Sequence, residues 1–370
     1  MSEFRKLFFK LCIVAFPAFF MVTAELFFLP PTFFTFRCWE ALMVKGRRPG
    51  LDSWFYPLQK VETWDERGDL GRTTPHSVPK HVVWLTDKYG MRNTPRDDLS
   101  SLDLFIVGDS NGVGSSVSQN DILSEVMTRS HNIQSYIYGP ALFPEYYSDG
   151  RYEKVRPPYV AYVKVERDIP SITPIEGSIP VTAYAKPQYP LSLLVLIDKF
   201  QNLNIINYLK ARFQDGRWKP KKPDPEYAMR KEMTFYGGDG AEIPPDDKLI
   251  DRVTDALLTY KKSAKERNQK FIFIPVPNKE TIYYEQLPSK RESKFLEKLI
   301  SGLQDRGVLV IDTLALFKKH KSFHPEELLY ELDDTHWNAK GTRLTADRLN
   351  ELIKEQDNKS ARIQKAGNDI

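Results

Sequence analysis

Two periodicities alternate along the chain after about residue 100. Short apolar runs of the kind that form buried strands lie at 102–107, 133–138, 159–165, 271–276 and 308–311. Between them apolar residues return at helical spacing at 121–129, 191–213, 248–267 and 290–305, and again after the last at 339–355. Strands alternating with helices predict an α/β domain over 101–358, with a mainly parallel sheet covered on both faces. A proline-rich stretch at about 168–245 shows no clear strand and reads as an insertion over the sheet's edge. A polar tail, 359–370, is expected to follow the domain.

The first 36 residues have a different pattern. Residues 11–36 carry a single charge, Glu25, and follow the basic residues Arg5, Lys6 and Lys10. The apolar span at 7–29 has the length a tilted helix needs to cross a bilayer, and Pro30-Pro31 would end it. A cleaved secretory signal is the competing reading, because Val22-Thr23-Ala24 offers small residues at a cleavage position. Cleavage there would leave an apolar new N-terminus, so an uncleaved anchor at 1–36 is expected. Arg37, Lys45, Arg47 and Arg48 nearly balance the basic residues before the span. The simplest arrangement keeps the short N-terminus inside and the large domain outside: a single pass through a bacterial inner membrane, with the domain extracytoplasmic. Residues 37–100 read as an irregular juxtamembrane segment whose aromatics (Trp39, Trp54, Phe55, Tyr56) extend the core rather than lie on the membrane.

Composition narrows the chemistry. A net charge of +4 and a pI near 8.7 make the surface mildly basic, a poor basis for nucleic-acid binding. There is no Walker-type loop and no zinc-like Cys/His spacing. The two cysteines, Cys12 and Cys38, lie in or beside the apolar segment, so no disulfide framework or thiolate metal site is expected beyond them. No cofactor and no metal are expected.

The residues that carry chemistry follow the first and last strands. The run at 102–107 leads directly into Gly108-Asp109-Ser110-Asn111-Gly112, where small residues permit a sharp turn that exposes the serine. In a parallel sheet, ligand-facing side chains sit at the carboxyl ends of strands, and Ser110 occupies such a place. A serine alcohol needs a base to take its proton and a carboxylate to orient that base. His336 is one of six histidines and lies in Leu332-Asp333-Asp334-Thr335-His336-Trp337-Asn338, before the last helix. Either piece alone could be an ordinary turn or a helix cap. In this order, each at a strand end, they point to nucleophilic catalysis. The Gly-x-Ser-x-Gly pattern also fits the α/β-hydrolase nucleophile elbow. That fold takes its acid and histidine from separate loops and places several strands before the serine, whereas one strand precedes it here.

Strand-Gly-Asp-Ser near the start and Asp-x-x-His near the end resemble the SGNH/GDSL hydrolases, over about 102–352. Looser likeness extends upstream to Thr86-Asp87-Lys88-Tyr89-Gly90-Met91-Arg92. The stretches FIFIPVPNKETIYYEQLP, VLVIDTLALF and DDTHWNAKG are similar to the alginate O-acetylation branch, the AlgX/AlgJ-like proteins. The resemblance implies a three-layer α/β/α fold, Ser110 as nucleophile and His336 as general base. It implies Asp333 as orienting acid by the wider family's spacing, or Asp334 by the branch's; motif order favours Asp333, because in the branch the serine follows the Asp/His loop. The backbone N–H groups of Ser110 and Gly139 would form the oxyanion hole. The wider family's Asn after the third strand is missing; Glu166-Arg167 stands there, as in the branch, with Arg167 a substrate contact or a structural ion pair.

The expected activity is that of a membrane-anchored serine esterase or O-acyltransferase, acetyl being the usual acyl group in this family. Its substrate would be an acyl ester or a cell-envelope or extracellular polysaccharide. A multi-pass membrane O-acyltransferase is the partner the resemblance implies. The alternative is a catalytically silent scaffold that binds glycan or assembles a membrane complex. The basic run Arg217-Trp218-Lys219-Pro220-Lys221-Lys222 and the set Lys261, Lys265 and Arg267 read as solvated surface. Trp337 either flanks the substrate or packs its own loop.

Overall fold

In the computed structural model, residues 3–35, 37–46, 48–72, 77–184, 186–214, 233–237 and 242–368 are described. The apolar run after residue 101 forms the strand β3 (Leu104–Gly108), buried along its whole length. It is preceded by an antiparallel pair, β1 (Lys60–Glu66) and β2 (Lys80–Leu85). It is followed by β4 (Ser135–Tyr138), β5 (Tyr159–Val165), β6 (Lys270–Val276) and β7 (Leu309–Val310). The last five strands make one parallel sheet in the order β4-β3-β5-β6-β7. The chain begins at β3, adds β4 on one side, then moves to the other side with β5. That reversal opens a crevice at the carboxyl end of β3, where open α/β sheets bind ligands.

The helices of the domain are α3 (Ser110–Val113), α4 (Leu123–His131), α5 (Phe143–Ser148), α6 (Leu191–Gln201), α7 (Asn204–Gln214), α8 (Asp247–Glu266), α9 (Lys279–Ile282), α10 (Phe295–Asp305), α11 (Thr313–Phe323) and α12 (Ala339–Asn368). Before them come α1 (Glu3–Phe27) and α2 (Cys38–Leu42). Phe143 of α5 stacks on Tyr260 of α8 at 4.8 Å, and both rings meet Tyr162 of β5, so α5 and α8 cover one sheet face. The α/β fold with a mainly parallel sheet agrees with the sequence pattern.

Three expectations are corrected. Residues 37–100 are not irregular, because they contain α2, β1 and β2, while their aromatics extend the core as expected. Trp84 of β2 is fully buried, its ring 5.4 Å from that of Phe55 and 6.1 Å from that of Trp39. The Arg92 guanidinium lies 3.6 Å from the Trp84 ring and donates to the carbonyls of Gly114 and, at 2.6 Å, Val117. The helix expected at 191–213 is two helices, broken at Asn202, whose N–H bonds back to Asp198 and Lys199 carbonyls. The last helix, expected at 339–355, runs on as α12 through Asn368 and takes in most of the polar tail.

Among the described residues α1 is the one helix long and apolar enough to cross a membrane. Its Glu25 accepts the amides of Asn204 (2.5 Å) and Ile205 (3.0 Å) at the start of α7. The basic run at 217–222 lies outside the described residues.

If residues 37–100 belong to the core, Trp84→Ala lowers the unfolding free energy by about 3–5 kcal/mol. Chemical denaturation of the purified protein, read by far-UV circular dichroism, checks this; a loss under about 1 kcal/mol would place Trp84 outside the cooperative unit.

Candidate active site

The turn after β3 is built around Asp109. As N-cap of α3 its Oδ1 accepts the amides of Asn111 (2.9 Å) and Gly112 (3.4 Å). Its Oδ2 accepts the Val165 amide at the end of β5 (2.6 Å), so one carboxylate fixes the serine turn to the neighbouring strand. Glycine at 112 lets α3 lie against β5, since a Cβ there would come 3.3 Å from Val163 Cβ. Gly139 follows β4 and faces the same turn, where a Cβ would stand 2.3 Å from the Gly108 carbonyl oxygen. Ser110 remains partly exposed.

The loop before α12 approaches from the other side. Trp337 is fully buried; its amide bonds Asn111 Oδ1 at 3.3 Å and its indole N–H donates to the Asn111 carbonyl at 3.2 Å. Trp337 therefore packs the two loops together rather than flanking the site. Ser116 Oγ donates to the Trp337 carbonyl at 2.5 Å. This docking leaves His336 Nε2 2.7 Å from Ser110 Oγ.

On its other side His336 Nδ1 lies 2.5 Å from Asp334 Oδ1, which also accepts the His336 backbone amide at 3.1 Å. Burial works against the charge of Asp334, but the His336 ring, Lys80 and Arg37 outweigh it and hold the carboxyl well below the usual range. An ionised Asp334 can only accept, so Nδ1 carries the hydrogen and Nε2 offers its lone pair to the serine hydroxyl.

The preference for Asp333 gives way here. Asp333 is buried and turned from His336, with Oδ2 accepting the amides of Gly68 (3.0 Å) and Val78 (2.9 Å). The two carboxylates are adjacent in sequence and point to opposite partners: Asp334 to the histidine, Asp333 to the segment after β1.

That segment supplies residues the sequence reading missed. Asp69 accepts the Thr335 amide (2.8 Å) and hydroxyl (2.6 Å), and its Oδ2 lies 3.7 Å from His336 Nδ1. Burial and the neighbouring Asp334 push the Asp69 carboxyl up. Arg37, after the apolar segment, faces this group; burial opposes its charge, but Asp334, Glu40, Asp69 and Glu66 raise it. Asp69, Asp334 and His336 bring potential ligand atoms within 4.8 Å of one another. Both Asp69 oxygens and Asp334 Oδ1 are already engaged in hydrogen bonds.

Arg167 lies on the turn after β5. Its side chain donates to Thr335 Oγ1 at 3.4 Å and sits 5.6 Å from the Tyr236 ring, with no ion pair to a described carboxylate. Its neighbour Glu166 is fully buried and accepts the Asn278 amide (2.9 Å), Thr281 Oγ1 (2.6 Å) and Ser293 Oγ (3.3 Å). Burial pushes Glu166 up to about 7. Of the surface set, Lys265 is exposed, whereas Arg267 lies 3.8 Å over the Tyr147 ring and Lys261 donates to the Gly307 carbonyl at 2.7 Å.

Residues 235–368 match the family described as SGNH hydrolase-like domain, acetyltransferase AlgX, and this stretch includes the His336 loop but not Ser110. The SGNH and AlgX-like resemblance read from the motifs thus agrees with an independent match over this stretch, about a third of the chain. No curated protein sequence matches the chain. Solved structures similar to it include the psychrotrophic esterase EstA from Pseudoalteromonas sp., 11% identical at a TM-score of 0.32, covering 69% of this chain and 99% of that one. A catalytic mutant of the acetylxylan esterase Axe2 from Geobacillus stearothermophilus is 12% identical at a TM-score of 0.34, covering 69% and 94%. The protein YXIM from Bacillus subtilis is 11% identical at 0.35, covering 74% and 60%.

The buried Glu166 makes stability depend on pH. Its folded pKa lies above its unfolded one, so its contribution is full below about pH 4.5 and is lost as pH rises through about 7. Glu166→Gln removes this slope, about 1.4 kcal/mol per pKa unit before relaxation. Denaturant titrations of both proteins between about pH 4.5 and 7.5 check it; parallel curves would show that Glu166 titrates normally.

Proposed function

We propose that this protein is a membrane-anchored serine esterase or O-acyltransferase acting through Ser110, His336 and Asp334. The observation that carries this reading is the line from Ser110 Oγ to His336 Nε2 (2.7 Å) and from His336 Nδ1 to Asp334 Oδ1 (2.5 Å). Ser110 Oγ attacks the carbonyl carbon of an acyl ester while its proton moves to Nε2. The imidazolium so formed is stabilised by the ionised Asp334. Negative charge develops on the carbonyl oxygen, and the backbone N–H groups of Ser110 and Gly139 are the assigned donors to it. Collapse of the tetrahedral intermediate returns the proton from Nε2 to the leaving alcohol and leaves Ser110 acylated. Water or a sugar hydroxyl then gives its proton to Nε2 and attacks the acyl carbon, and collapse of the second tetrahedral intermediate releases the acid or the new ester as Nε2 returns the proton to Ser110 Oγ.

The family match supports acetyl as the acyl group, and a cell-envelope or extracellular polysaccharide is the acceptor this reading assigns. Helix α1 supports a single-pass bacterial inner-membrane anchor with the domain on the extracytoplasmic side. A multi-pass membrane O-acyltransferase is the assigned acyl source. Arg167, beside Thr335 and free of a described carboxylate, is assigned to substrate contact.

Fluorophosphonate labelling of the purified full-length protein tests the chemistry. Wild type is labelled, Ser110→Ala and His336→Ala are not, and Asp334→Asn reacts about a thousandfold or more slowly. Asp333→Asn keeps most of the labelling rate, because Asp333 binds backbone amides away from the histidine. Folded wild type that resists the probe would instead favour the silent scaffold.

The anchor has its own test. Exposed Cys12 lies in α1, and Cys38 is buried. A polarity-sensitive fluorophore on Cys12 is blue-shifted and quenched by brominated lipids when the full-length protein is placed in bilayers. Emission as in water would remove α1 from the membrane.

A further inference from the structure

We infer that Lys279 is a positioning residue of this site, its ammonium holding the backbone of the loop at 331–334 so that Asp334 and His336 face Ser110. The inference rests on the serine-hydrolase reading above. Lys279 opens the short helix α9 just past β6, at the same carboxyl end of the sheet as Ser110, and it is 1% exposed. A lysine so deeply buried needs a specific partner set, since an unpaired charge there is costly. Its partners are four backbone oxygens: Glu331 O at 2.6 Å, Thr234 O at 2.8 Å, Leu332 O at 2.8 Å and Asp334 O at 3.2 Å. Three of these belong to the loop that carries the proposed acid, and the fourth belongs to the insertion.

An ammonium has three hydrogens, all taken up by this set, while a neutral amine has two and leaves at least two carbonyls unserved. Without the cation the converging carbonyl dipoles repel, and the 331–334 backbone loses the point that gathers it. The Asp334 carbonyl and the Asp334 carboxylate belong to one residue, so a shift of the first moves the second relative to His336 Nδ1. Lys279 touches no reacting atom and acts through this geometry alone.

The surroundings set the pH at which the cation is lost. Burial draws Lys279 down to about 8, against the opposing pull of Asp334, Glu280, Asp333 and Asp69. Glu331 with its partner Lys80, Arg37, His336 and Arg167 are the further charged or titratable groups around the loop among the described residues. The ammonium is therefore present below about pH 8 and depleted above it.

The experiment uses purified full-length protein, the rate of Ser110 modification by a fluorophosphonate, and kcat and KM for p-nitrophenyl acetate, from about pH 6 to 10. Lys279→Met lowers the labelling rate and kcat about a hundredfold with KM nearly unchanged, as expected for misplacement of about 1 Å. Lys279→Arg keeps the cation, recovers most of kcat, and moves the alkaline fall of wild type to higher pH. Folded Lys279→Met with wild-type rates overturns the inference, as does a Lys279→Arg profile that falls at the same pH as wild type. Should Lys279→Met not fold, the wild-type profile still decides, because a flat rate up to about pH 10 overturns it. Wild type that is never labelled removes the serine-hydrolase reading and this assignment with it, whereas labelled wild type beside an equally fast Lys279→Met removes only this one.

Discussion

The contact between Ser110 Oγ and His336 Nε2 joins side chains 226 residues apart. A hydrogen bond over such a separation cannot organise itself, because the entropy of ordering both loops exceeds what one bond returns. Each loop is therefore fixed independently. Asp109 clamps the serine turn to β5, and Trp337 docks the histidine loop on Asn111. The two side chains meet because the backbones beneath them are already bonded to each other.

The histidine loop is held by groups from three distant parts of the chain. Gly68, Asp69 and Val78 bond it from the β1–β2 segment, Lys279 from the turn after β6, and Thr234 from the insertion. Most of these bonds join a charged side chain to backbone groups, the arrangement that lets a charge be buried without a paired ion. Gly68 shows how close the fit is, since a Cβ there would stand 1.9 Å from the Asp333 carbonyl oxygen. The segment after the apolar N-terminus is thus part of the site's scaffold.

The five sheet strands were legible because their apolar runs are continuous, as burial on both faces requires. β1 and β2 were not. Lys60 and Glu62 flank Val61 in β1 and Thr63, the exposed Trp64, Asp65 and Glu66 follow, so the segment reads as polar until its pairing with β2 buries Val61 and Trp84. The meeting of Ser110 with His336 could be anticipated because Ser110 directly follows a parallel strand and the Asp/His motif enters the last helix, although α11 separates that motif from β7. The choice between Asp333 and Asp334 could not, since each has a fitting motif and the decision lies in which one meets the Gly68 and Val78 amides. Nothing local to Asp69, Arg37 or Lys279 marked them, because their partners come from other elements. Trp337 was open for the same reason.

The order of the motifs departs from the alginate branch, for here the serine precedes the acid and histidine, and on that ground it favoured Asp333. The sheet topology removes its force. Ser110, Lys279 and the 331–338 loop all stand past the carboxyl ends of parallel strands or at the entry to the last helix, so they meet at the carboxyl end of the sheet whatever their order in the chain. The family match covers the part that carries His336 and Lys279, and the serine comes from outside it. What must be kept for the geometry is the spacing of strand ends, about 5 Å from one neighbour to the next, together with a capped turn at each. β3 is central in this respect, since its neighbours β4 and β5 present Gly139 and Arg167 on either side of Ser110. The same central position that makes β3 fully buried places its first exposed residue at the crevice, so burial of the strand and exposure of the serine have one cause.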